Sequence, residues 1–183
     1  IAAPNDNPRK VYAEVSLAGL RTVQVNMIGE VKVPGSYHVN ALSTVLHALY
    51  AAGGPTKKGS FRNIKIIREG KECAQFDMYG YLLKGSEKGN VLLQDQDIIH
   101  IPPYEHKVSV SGAVKRSGIF ELKKGETMAD LMRYFGGFTA MAYKERLLVE
   151  RVNGIEKEIA EVLPTAQKTF LMQDGDQLKV GVV

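Results

Sequence analysis

The chain has 183 residues, 44% of them hydrophobic and 24% charged, with a formal net charge of +4. That length holds one ordinary domain or two small ones, and cations interleaved with acids (Arg68-Glu69-Gly70-Lys71-Glu72, Lys144-Glu145-Arg146) argue against the one-sided basic face of a nucleic-acid binder. The single cysteine, Cys73, excludes an intrachain disulfide, and no apolar run approaches the roughly 18 residues of a membrane-spanning helix.

Residues 1–22 open at Ile1 rather than at a methionine and are read as a linker or the tail of an upstream domain, the chain being a processed or excised piece. From residue 23 the sequence organises itself as a repeat. Val25 to Tyr37 resembles Val108 to Phe120, and Gly29 and Gly112 stand 83 positions apart. Gly35 with Gly118, Gly53-Gly54 with Gly136-Gly137, and Arg68 with Arg151 keep that offset. It falls to 79 at Gln94-Asp95-Gln-Asp97 and Gln173-Asp174-Gly-Asp176, which puts four extra residues in the first copy, in a polar loop between Lys71 and Gly89. The expected units are 23–104 and 105–183. Each is too small to bury more than about 60–65% of its unfolded surface, so each is expected to lean on a neighbour.

Taken in chain order, each copy begins with a half-buried strand. Val23, Val25 and Met27 alternate with polar residues, as do Val108 and Val110. Pro34-Gly35 then predicts a type II turn, with Ser117-Gly118 as its counterpart, before a returning strand. One short helix follows. Val45, Leu46, Leu49 and Ala52 form its apolar stripe in the first copy, and Met128, Leu131, Met132 and Phe135 in the second. Thr127 and Asp130 form a capping pair, and a double glycine ends each helix with its first member left-handed. Ile64, Ile66 and Ile67 match Leu147, Leu148 and Val149 as a buried strand ending in Arg68 or Arg151. A glycine-bearing turn, another segment containing Cys73 as a small packing residue, and a final strand complete the unit. The fold class is α+β: two tandem small mixed sheets, each with one short helix packed on it.

No residue set reads as catalytic, cofactor-binding or metal-ligating. The pairs Asp95/Asp97 and Asp174/Asp176 lack the further oxygen ligands of a calcium loop and fit turn chemistry. His38, His47, His100 and His106 have no ligand spacing, His47 falling mid-helix. Ser109, Ser111 and Ser117 sit in no nucleophile elbow. Gly53 to Arg62, with Lys57, Lys58, Gly59 and Ser60, superficially suggests a phosphate cradle, but it follows a helix instead of preceding one and leaves only weak anion or sugar contacts. Arg68 and Arg151 read as partners for carboxylates, and Tyr79, Tyr81 and Tyr104 as strand-edge tyrosines with faces a sugar can stack on.

The wording Ile28-Gly29-Glu30-Val31 through Pro34-Gly35 to Tyr37, then Ala52-Gly53-Gly54, then Asp95-x-Asp97 to Ile101-Pro102, resembles the SLBB module, a soluble ligand-binding β-grasp. The first copy, with Pro55-Thr56 and Gly59-Ser60-x-Arg62-Asn63, is most similar to the polysaccharide biosynthesis/export proteins, the Wza-like outer-membrane capsule exporters. The resemblance implies β-grasp folds, no enzyme activity and no cofactor. It further implies a periplasmic portion of an outer-membrane ring whose protomers pack through these modules, with polysaccharide and an inner-membrane co-polymerase as partners. The export-domain signature, lipoprotein cysteine and membrane-spanning end of such proteins have no counterpart in this sequence. The alternative is a soluble-ligand or polyanion-binding module, for glycan or DNA, outside an exporter.

Overall fold

The computed structural model describes Gly19 and residues 21–183, so the tail expected over 1–22 falls almost wholly outside the described residues. The first unit runs β1 (Thr22–Gly29), β2 (Gly35–Asn40), α1 (Val45–Ala51), β3 (Ile64–Arg68), β4 (Lys71–Phe76), α2 (Met78–Lys84) and β5 (Ile98–Ile101). The second runs β6 (His106–Gly112), β7 (Gly118–Leu122), α3 (Met128–Phe135), β8 (Leu147–Asn153), β9 (Glu156–Val162) and β10 (Gln177–Val180). The sheets are ordered β2-β1-β5-β3-β4 and β7-β6-β10-β8-β9, the same topology twice. In each, the last strand lies parallel to the first and every other pairing is antiparallel. The molecule is therefore an α+β protein with two tandem mixed sheets.

The alternation decides which face is buried. Val23, Val25 and Met27 turn inward onto α1, while Val108 and Val110 turn inward onto α3. The helix stripes meet them: Leu46, Leu49 and Ala52 in the first unit, Met128, Leu131 and Phe135 in the second. Each unit closes its own apolar cluster, and full burial of a side chain such as Leu49 or Leu131 contributes about 1.5–3 kcal/mol. Tyr134 is buried where Met132 was expected, because its ring is drawn to the seam between the units.

Local chemistry follows the repeat closely. Thr127 N–H donates to Asp130 Oδ2 at 3.0 Å, the predicted cap. In α1 the same task falls to His47, which sits in the first turn rather than mid-helix: its Nδ1 accepts from Thr44 N–H at 3.0 Å. Both glycines of each pair are left-handed, Gly53 and Gly54 at φ +75 and +77, Gly136 and Gly137 at +77 and +87. The second of each also accepts from the first hairpin, Lys32 N–H to Gly54 O and Lys115 N–H to Gly137 O.

Four expectations are corrected. Gly35 does not close a type II turn; it already faces Met27 in β2, and the chain reverses earlier, from Gly29 at φ +86 through a loop tied to the double glycine. The length difference is not one loop. Ile64 pairs with Phe76 but Leu147 with Val162, so the second copy's hairpin is three residues longer, and the first copy recovers seven between Phe76 and Gln94. Those residues build α2, a second helix that the repeat does not contain. Cys73 is exposed, not packed: Ile66 faces Ala74 and Ile67 faces Glu72, which leaves Cys73 as the extra residue of a bulge.

Candidate functional site

The duplicated acidic turns are structural latches. Asp97 is fully buried and accepts from Gln94 N–H at 2.8 Å and from Arg68 Nε and Nη2 at 2.9 and 2.8 Å. Asp176 repeats this with Gln173 N–H and both nitrogens of Arg151, at 2.7–2.8 Å. The spare Nη2 capacity goes to Leu92 O and Leu171 O. Hydrogen bonding to these carboxylates raises both arginine pKa values above the ordinary range. Asp95 and Asp174 hold the first strand of their sheets through Gln24 and Lys107 N–H. No group of three or more metal-ligating side chains gathers among the described residues. The four histidines stay apart in role: His38 lies in β2, His47 caps α1, His100 lies in β5, and His106 keeps a buried Nδ1 without a partner among the described residues.

The Gly53–Arg62 loop does something the sequence reading did not anticipate. Ser60 and Arg62 are buried in the seam between the units, only 1% and 6% exposed, so they offer nothing to an anion from solvent. Ser60 Oγ donates to Glu121 Oε1 at 2.5 Å and Phe61 N–H to Oε2 at 2.6 Å. Ser60 Oγ also accepts from Arg62 and Asn63 N–H, which tightens the loop around the contact. Arg62 bridges the two units. Its Nη1 reaches Glu126 Oε2 at 2.5 Å and its Nη2 reaches Asp77 Oδ2 at 3.2 Å. Its guanidinium lies 5.0 and 4.8 Å from the ring centres of Tyr79 and Tyr134, which themselves meet edge to face at 5.3 Å. Tyr134 Oη donates to Glu126, Tyr79 Oη accepts from Glu121 N–H, and Lys123 pairs with Asp77 across the seam.

The electrostatics follow from burial and pairing together. Burial alone would depress Arg62, but the bonds to Glu126 and Asp77 outweigh it and its pKa rises. Burial would raise Asp77, yet Lys123 and Arg62 hold it below the usual carboxylate range. At Glu121 burial wins: the bonds from Ser60 and Phe61 offset it only in part, and the pKa is raised. Sequence reasoning missed Glu121, Glu126, Asp77 and Tyr134. The available signal was a break in the repeat, since Ser60-Phe61-Arg62 becomes Tyr143-Lys144-Glu145 one copy later.

Beside the seam lies a groove of about 780 Å³. Its floor is the helix-free face of the second sheet. Lys107 pairs with Glu121 and Ser109 with Ile119 and Gln177, and all of them point away from the α3 side. The facing wall comes from the first unit: Lys57, Lys58, Phe61, Tyr79, Leu82 and Tyr104. Lys107 Nζ sits 4.0 Å from the centre of the Tyr104 ring and donates to the Lys57 carbonyl; burial lowers its pKa. Leu82 and Ile119 stay 60% and 69% exposed. Of the residues singled out in the sequence, Lys57, Lys58, Tyr79 and Tyr104 are thus brought together, while Tyr81 packs against Phe76 instead.

Comparison with known proteins agrees with the doubled architecture. The SLBB domain profile matches residues 24–77 and again 107–158. Two Escherichia coli proteins called polysialic acid transport protein KpsD are each 28% identical over 171 residues, covering 93% of this chain but 30% of their own length. The chain thus spans less than a third of the curated relatives it matches. With more than half of its residues inside the two matched segments, and the same five-stranded sheet at each, the chain belongs to the SLBB domain family as a tandem pair.

Proposed function

We propose that this chain is the periplasmic SLBB portion of an outer-membrane protein that exports a capsule or exopolysaccharide, serving there in subunit packing and the channel wall and carrying out no reaction of its own. The observation that carries this reading is the similarity to a polysialic acid transport protein over 93% of the chain, which takes in both units. The fold supports an assembly role. The first unit seats its loops on the second unit's open sheet face, a head-to-tail contact between like modules. The corresponding end of the second unit, marked by the equivalent bridges Gly59 to Pro103 and Ala142 to Val182, exposes Met141, Tyr143 and Val182. An apolar end of this kind suits packing against another module.

Deleting the gene in the source organism is expected to remove surface polysaccharide while its synthesis inside the cell continues, with export restored by the whole gene and not by one lacking both SLBB units. Unchanged surface polysaccharide in the deletion strain would refute the reading. It would favour the other one that the groove supports, a soluble-ligand or polyanion-binding module outside an exporter.

A further inference from the structure

We infer that the groove between the two units is a binding subsite for a short stretch of acidic, carboxylate-bearing polysaccharide, an inference that rests on the export reading and gives it a substrate class. Three cations converge on this groove, and Lys57, Lys58 and Lys107 form no ion pair with any described residue. Two carboxylates share the lining, Glu121, which accepts from Ser60 and Phe61, and Asp174, which accepts from Lys107 N–H; these neutral donors leave their charge in place, so three lysines stand against two acids. The surplus is positive, with Lys57 and Lys58 exposed as mobile point charges and Lys107 held against the Lys57 carbonyl and the Tyr104 ring. Leu82, Ile119, Tyr79 and Tyr104 share the lining with the cations, apolar surface of the kind that the C–H faces of a pyranose ring cover. Ser109 and Gln177 add neutral groups for hydroxyls. The volume is in the range of sites that hold small ligands, roughly 300–1,000 Å³. A cluster of lysines beside an apolar strip matches a sugar that presents a carboxylate at one edge and a C–H face next to it. A nucleic acid would instead call for a denser cationic track and broad stacking platforms.

The groove also requires both units. Its floor belongs to one and its wall to the other, so the Glu121 and Arg62 contacts that lock the seam are what hold the subsite open at a fixed width.

The test is a titration of the 183-residue chain, followed by amide nuclear magnetic resonance, with an α2,8-linked sialic acid tetramer, maltotetraose and an oligothymidylate of equal charge. The acidic tetramer is expected to shift resonances of Lys57, Lys58, Lys107, Ser109 and Ile119, and maltotetraose to bind far more weakly. Lys57→Ala with Lys58→Ala should weaken the tetramer about tenfold, as two exposed charge contacts would. Ile119→Asp should weaken it further, with the rest of each spectrum unchanged. Shifts confined to other surfaces, equal binding of maltotetraose, or equal binding of the oligothymidylate through the same lysines would each overturn the assignment. Absent binding alongside intact dependence of export on the SLBB units removes the subsite alone. Binding in a protein whose deletion leaves surface polysaccharide untouched removes the export reading alone.

Discussion

Ser60 and Glu121, 61 positions apart in the chain, are joined by a 2.5 Å hydrogen bond that crosses from one β-grasp unit to the other. The remaining carboxylate oxygen takes Phe61 N–H, so a single side chain satisfies two donors of a loop that belongs to its neighbour. Glu121→Ala strands both. A buried donor left unmade costs about 1–3 kcal/mol, and the pair is expected to cost about 2–4 kcal/mol. Because the loss falls on the seam and not on either core, calorimetry should resolve one unfolding transition into two. A single transition at the original temperature would show that the Glu121 bonds contribute nothing to the coupling of the units.

Arg62 makes the stronger claim on the same seam. Its removal leaves Asp77 with Lys123 as its one ion partner among the described residues, beside the Tyr79 and Gly80 N–H groups, and leaves Glu126 with neutral donors, the Tyr134 hydroxyl and Lys123 N–H. Breaking a buried ion pair from one side costs about 3–5 kcal/mol, the loss expected for Arg62→Ala in urea unfolding. Arg62→Lys should recover only part of it. A lysine restores the charge but cannot reach two carboxylates while lying against the rings of both Tyr79 and Tyr134. Full recovery by lysine would mean that charge, not the planar fork, secures the seam.

Much of each unit was legible because the signals are local and occur twice. Val23, Val25 and Met27 declare a strand by alternation, Thr127 and Asp130 declare a helix start, and paired glycines declare its end. Arg68 and Arg151 could be read as partners of carboxylates because they recur one copy apart, while the partners themselves, Asp97 and Asp176, were read only as turn residues. What remained hidden is what occurs once. α2 has no counterpart in the second copy, and the hairpin and helix length changes offset each other until only four residues show in the offset. Glu121 looked like any polar residue on a strand's open face. Only the docking of the first unit turns that face into an interface, and periodicity within one unit carries no trace of it.

Acid should act on the seam in two opposed ways. Asp77 is held below its ordinary 3.8, so its contribution is fully present above about that pH and is lost as the pH falls through its lower folded-state value. Glu121 is raised above its ordinary 4.5, so its protonated form favours the folded state below that value, a benefit lost as the pH rises through the raised one. Stability measured in urea from pH 3 to 7 should therefore fall less steeply below pH 3.8 in Asp77→Asn than in the parent. In Glu121→Gln the decline above pH 4.5 that belongs to this group should vanish. Parallel curves for all three proteins would remove both assignments.

The two kinds of glycine in the first hairpin should separate cleanly under substitution by alanine. Gly35 lies at φ +147 with nothing within 4 Å of where a Cβ would stand, so Gly35→Ala bears backbone strain alone, about 1–3 kcal/mol. Gly29, at φ +86, carries similar strain and a collision besides, since its Cβ would fall 2.2 Å from the Ile101 carbonyl oxygen. That oxygen ends β5, the strand pinned between β1 and β3, and it also accepts from Glu30 N–H, so it has little freedom to retreat. Overpacking of this kind adds about 1–3 kcal/mol, and Gly29→Ala should lose that much more than Gly35→Ala in urea unfolding. Gly112 repeats the arrangement, 2.0 Å from Val180 O, and should behave alike in the second unit. Equal losses at Gly29 and Gly35 would mean that β1 and β5 can separate at their ends, and that the close approach of the first strand to the last is not what demands a glycine there.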